Sequence, residues 1–130
     1  MRIVVLPLLA ALAGCLTTVP ESLEGPWGGP HIGLVVGATG AEIEYDCAHG
    51  RITEPLRPDS DGDFVALGEH VNEHGGPIHE DEVPDRHPAR YVGRVRGSGM
   101  TLRVELTDSA RTVGTFELER GANPSVFKCL

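Results

Sequence analysis

The side chains best suited to chemistry crowd one stretch, Glu69-His70-Val71-Asn72-Glu73-His74-Gly75-Gly76-Pro77-Ile78-His79-Glu80-Asp81-Glu82, with His87 shortly after. Imidazoles mixed with carboxylates suit borderline divalent cations. His70, His74, His79 and His87 therefore point to capture of Zn²⁺ or Cu²⁺. His70-Val71-Asn72-Glu73-His74 also spells H-x-x-E-H. That spacing supports metal-assisted hydrolysis only on a helix, where both His lie one turn apart and the Glu activates a metal-bound water. Here it begins at the end of a strand pattern and runs into Gly75-Gly76-Pro77, which leaves no room for the helix. The bland reading is a solvated acidic loop, and metal capture by its histidines is the sharper one.

Two other groupings have residue types suited to chemistry. Asp59, Asp61 and Asp63 have the alternation that opens a calcium loop. The sixth position is Phe64 rather than Gly, and the twelfth is His70 rather than Glu, so a turn is expected instead. An Asp46–His49 pair is conceivable, yet no nucleophile stands beside it. The five serines downstream of position 20 fall in tether, turns or loops, and none sits in a G-x-S-x-G elbow. No catalytic residue is assigned, and a non-enzymatic protein is expected.

The elements that must position these residues are short strands. Seventeen glycines and ten prolines in 130 residues favour strands and tight turns over helices. The length suggests one domain. The net charge of −8 repels phosphate backbones and excludes nucleic acid as the expected partner. Gly40–Gly50 is the organising segment. Glu42, Glu44 and Asp46 alternate with Ile43, Tyr45 and Cys47, one wet face against one dry face. His31–Val36 precedes it as a first strand. Ala48-His49-Gly50 reads as a corner and Arg51-Ile52-Thr53 as a short strand. Phe64–His70 follows the Asp61-Gly62 turn signal, and Val71–Pro88 reads as a long loop. Arg90–Arg96, Met100–Thr107 and Thr112–Arg120 form a meander, with Ser125–Leu130 closing the sheet.

The fold class expected is thus all-β: a small antiparallel up-and-down barrel of about seven or eight strands, with a β-sandwich as the alternative. The inward set is Ile32, Leu34, Val36, Ile43, Tyr45, Tyr91, Val95, Met100, Leu102, Val104, Leu106, Phe116 and Leu118, plus either Phe64/Ala66 or Val65/Leu67. That volume fills a short barrel and leaves at most a small pocket near one mouth.

The first residues read as a signal. Arg2 is a minimal positive region, and Ile3–Ala11 is apolar but too short to span a bilayer. Leu12-Ala13-Gly14-Cys15 resembles the lipobox of bacterial lipoproteins. The resemblance implies cleavage after Gly14 and a lipidated Cys15, so residues 1–14 are signal, 15–24 a lipidated Cys with a spacer, and 25–130 the domain. It also implies a membrane anchor in the cell envelope. Leu16 is not the retention Asp of enteric-type bacteria, so the outer membrane is expected if the host is Gram-negative. With Cys15 lipidated, Cys47 and Cys129 remain as a pair, and an oxidising compartment makes a disulfide the natural outcome. It would close a loop of about 80 residues, for which chain entropy gives roughly 4–5 kcal/mol.

Gly25-Pro26-Trp27 resembles the G-x-W of lipocalin-like barrels. That resemblance implies a Trp27 plugging the barrel floor near a basic residue, Arg120 or Lys128. Taken together, the expectation is a monomeric, lipid-anchored envelope protein acting as a binding or interaction module for an envelope protein or small ligand. A metal-binding lipoprotein is the alternative, and a barrel-type protease inhibitor a further one.

Overall fold

A computed structural model describes Gly14 and residues 18–130. Residues 1–13 of the signal and the lipidation site at Cys15 lie outside the described residues. Eight strands follow one another: β1 (Gly25–Gly29), β2 (Ile32–Val36), β3 (Ala41–Tyr45), β4 (Ala48–Ile52), β5 (Asp63–Asn72), β6 (Asp85–Arg96), β7 (Gly99–Leu106) and β8 (Arg111–Arg120). Each pairs antiparallel with its sequence neighbours, and β8 returns to β1 to close a barrel. The sandwich alternative is therefore set aside. One end carries the β1–β2, β3–β4, β5–β6 and β7–β8 connections and is here the mouth. The other carries the remaining connections and the N-terminal segment, and is the base.

Alternation decides what fills the interior. Ile32, Leu34, Ile43, Tyr91, Val95, Met100, Leu102 and Val104 are all buried as their parity dictates. On β5 the choice falls to Phe64 and Ala66, at 4% and 0% exposure, against 58% and 53% for Val65 and Leu67. Phe116 is only half-buried. The core also takes in Leu23, Trp27, Ala41, Ala48, Ile52, Leu56 and Ala89.

Three sequence expectations change. Ala48-His49-Gly50 is strand, not corner: the corner is Asp46-Cys47, where Cys47 takes φ 52°. Gly50 serves close approach, because a Cβ there would meet Tyr91 Oη at 2.5 Å and Tyr45 Cε2 at 3.4 Å. The loop expected over Val71–Pro88 shrinks to residues 73–84, since β6 starts at Asp85 despite Pro88. In an antiparallel strand a residue's N and C=O face the same neighbour. The Pro88 carbonyl accepts from Thr107 N at 3.0 Å, so its missing N–H faces Thr107 just past the end of β7 and the proline forfeits only the last bond of that ladder.

The third change concerns the C-terminus. Ser125–Leu130 adds no strand to the barrel; β1 closes it instead. Residues 121–130 form a strap running outside β1–β3 from base to mouth. Gly121 N donates to Pro26 O, His31 N to Ser125 O, and Cys47 N to Phe127 O. The strap lies close because β1 and β2 are bare: a Cβ on Gly28 would sit 2.2 Å from Ala122 O, and one on Gly33 3.0 Å from Pro124. The Cys47–Cys129 disulfide, with Cα atoms 4.8 Å apart, fastens it at the mouth.

The base is plugged by Trp27, whose Nε1 donates to Leu23 O at 2.8 Å. Arg120 covers the indole, its Cζ 4.6 Å from the ring centroid, and donates to Ser22 O at 2.6 Å and Glu24 O at 3.0 Å. Arg120, not Lys128, is the basic neighbour of the tryptophan. The same bonds hold Thr18–Glu24, read from sequence as a spacer, onto the barrel. Leu23 is buried, and Gly97 N donates to Thr18 O at 3.0 Å.

Candidate functional site

The mouth gathers most of the polar side chains that chemistry would use. The β3–β4 turn presents Asp46, whose Oδ2 meets His31 Nδ1 at 2.5 Å and whose Oδ1 accepts from Phe127 N at 2.8 Å. The Phe127 amide, then His31, holds the Asp46 carboxyl below its ordinary pKa. Lys128, brought by the strap, donates to Glu44 Oε2 at 2.6 Å, Glu73 Oε2 at 2.9 Å and Ala48 O at 2.8 Å. His49 Nδ1 lies 2.9 Å from the same Glu73 oxygen. Burial pushes the Glu73 carboxyl up, but Lys128 and His49 outweigh it and leave it lowered. The Asp46–His49 pair conceived from sequence is thus replaced by Asp46–His31 and His49–Glu73. These groups are mutually satisfied and secure the strap.

The expected histidine set is spread out. His70 is on β5 and faces inward, 2% exposed. His74 lies on the β5–β6 loop, with Nδ1 2.8 Å from Gly75 O and Nε2 against Glu82. His79 is exposed, its backbone N donating to Glu82 Oε2. His87 on β6 sits between Asp108 and Asp85, at 2.8 and 2.9 Å; Asp108, then Asp85, raises its pKa against opposing burial. Among the described residues, the three side chains within mutual ligand reach are Asp59, Asp61 and Asp63. Those are the parts of a turn. Asp59 Oδ1 accepts the Asp61 and Asp63 amides, and Asp63 forms a two-pronged pair with Arg94.

Just inside the mouth the balance differs. Among the described residues, two buried side-chain polar atoms lack a hydrogen-bond partner, Tyr45 Oη and His70 Nδ1. Each such atom costs about 1–3 kcal/mol unless something meets it. The rings lie together, centroids 5.2 Å apart. Asn72 fixes the His70 tautomer. Its Nδ2 donates to Asp85 Oδ2 at 2.9 Å, so its Oδ1 is free to accept from His70 Nε2 at 3.0 Å. Burial lowers the His70 pKa, although Asn72 opposes this. The ring is neutral, with Nε2–H donating and Nδ1 an open lone pair. Tyr45 keeps its proton, because burial and then Tyr91 hold its pKa well above the ordinary value. Tyr91, pushed up to about 12 mainly by burial, donates to Glu69 O at 2.7 Å.

Both rings line a cavity of about 270 Å³, with Ala48, Arg111, Val113 and Phe116 among its other walls. It opens at the mouth, between the β1–β2 and β3–β4 turns, represented by His31, Asp46 and Cys47, and the first residues of β8. A larger trough of about 790 Å³ lies between the strap and β6–β8, and neither unpartnered buried atom lines it. The Tyr45–His70 pair was not read from sequence. The signal was present: counting by twos along β5 from Phe64 and Ala66 puts His70 inside.

Fold and site together define a class: an eight-stranded up-and-down barrel, filled by its own side chains, with a small polar-floored cavity at one mouth. Comparison with protein-family models, with curated proteins and with solved structures gives no match.

Proposed function

We propose that this chain is a bacterial envelope lipoprotein, lipidated on Cys15, whose barrel is a non-enzymatic binding module displaying its mouth away from the membrane. The observation that carries the reading is the fastening of Thr18 at the base, through Gly97 N. An anchor three residues earlier has an extended reach of about 10 Å. The base therefore rests on the bilayer surface and the mouth faces the aqueous side. The Leu-Ala-Gly-Cys box supplies the anchor, and two or more acyl chains hold it stably. Kinship with lipocalin-like barrels is supported by the Trp27–Arg120 stack. Exposed Ile78 and Val83 in the β5–β6 loop, and Phe127 and Leu130 in the strap, give the displayed end an apolar rim for a partner.

The test is depth-resolved quenching of the full-length protein in vesicles containing spin-labelled phospholipid. A fluorophore on T39C, in the β2–β3 turn at the base, is quenched. One on S109C, in the β7–β8 turn at the mouth, is not. C15A protein stays in the soluble fraction. Equal quenching at both positions, or membrane retention of C15A, refutes the reading.

A further inference from the structure

The mouth cavity has properties that select a ligand. Its lining includes His70, whose Nδ1 is a buried acceptor without a donor. A hydroxyl is the smallest neutral group that answers it, donating to the open lone pair of the imidazole. The half-buried Val113 and Phe116 offer an apolar surface beside it. Arg111 stands at the rim and enters none of the ion pairs made by the described residues. The rim carboxylate, Asp46, is already engaged by His31 and Phe127 N.

We propose that this cavity binds a small hydroxylated organic acid. Its hydroxyl donates to His70 Nδ1, its apolar body lies on Val113 and Phe116, and its carboxylate faces Arg111. At about 270 Å³ the cavity falls just under the range of about 300–1,000 Å³ of drug-sized sites, so the ligand is a compact one. Entry is at the mouth, between Arg111 and the β3–β4 turn. This assignment rests on the binding-module reading but not on the lipid anchor, so it stands or falls independently of the membrane experiment.

Matched pairs of carboxylates test it: 4-hydroxybenzoate against benzoate, and 3-hydroxybutyrate against butyrate. Each is titrated into the full-length protein in detergent micelles by ligand-observed NMR. The hydroxylated member of at least one pair binds more tightly by about tenfold. The His70 Nδ1 nitrogen resonance, followed in long-range ¹H–¹⁵N spectra of the unaltered protein, shifts as that acid is added. H70F removes the discrimination between the members of the pair, and R111Q weakens both. No binding by either hydroxy acid, equal affinity within both pairs, or an Nδ1 resonance that stays still while binding occurs elsewhere would sink the proposal. The last result would mean that Nδ1 is met by water alone. The wild-type resonance keeps the test decisive if H70F fails to fold.

Discussion

His70 shows how one position on a strand changes the meaning of a side chain. In a solvated loop it would be a pH-sensitive metal ligand; on β5 it is a neutral ring inside a barrel. Its pKa lies below the ordinary 6.5, chiefly through burial. The unfolded chain then binds the extra proton first as pH falls. Stability from this group is present above pH 6.5 and is lost as pH drops from there toward the folded-state value. His87 has the opposite sign. Its raised pKa gives a contribution present below pH 6.5 and lost as pH rises through the folded-state value. Urea unfolding between pH 5 and 8 is therefore expected to show H70F gaining on the wild type as pH falls, and H87Q losing ground. Parallel curves for H70F and wild type would mean that His70 is not held neutral.

At the scale of elements, the strap explains the glycines of β1 and β2. Gly28 and Gly33 give up side chains so that residues 121–125 can lie flat on them. The disulfide then closes a separation of 82 residues. Chain entropy assigns such a closure roughly 4–5 kcal/mol, a large part of the stability of a domain this size. Removing it with C47S/C129S is expected to lower the unfolding free energy by about 4 kcal/mol. It should also release the strap before the barrel: amide exchange at Ser125 and Phe127 speeds up while Tyr91 and Leu102 stay protected. Uniform loss of protection would show instead that strap and barrel open together.

Taken as a whole molecule, the barrel begins earlier than its first strand. Leu23 and Trp27 plug the base, and Arg120 ties Ser22 and Glu24 across it. A chain starting at Gly25 forfeits a buried leucine and these bonds, and should be destabilised by about 2–5 kcal/mol relative to one starting at Thr18. Chemical denaturation of the two chains measures the difference. Equal midpoints would return residues 18–24 to the role of a free spacer.

Much of this architecture is legible in local pattern. Alternation along β2, β3 and β7 dictated the buried set, because side-chain direction has a strict period of two and a barrel has one dry side. The Cys47–Cys129 pair also followed from residue types alone, given the resemblance of Cys15's surroundings to a lipobox. What required the tertiary structure was long-range. Pro88 looked like a strand breaker until its pairing with Thr107, past the end of β7, showed that its absent N–H forfeits only the last bond of the ladder. Gly50 looked like a corner until Tyr45 and Tyr91 filled its inner side. The two unpaired atoms at the mouth come from β3 and β5, with β8 supplying the facing wall. Their juxtaposition depends on register and closure, and those are properties of strand pairs that no single segment of sequence contains.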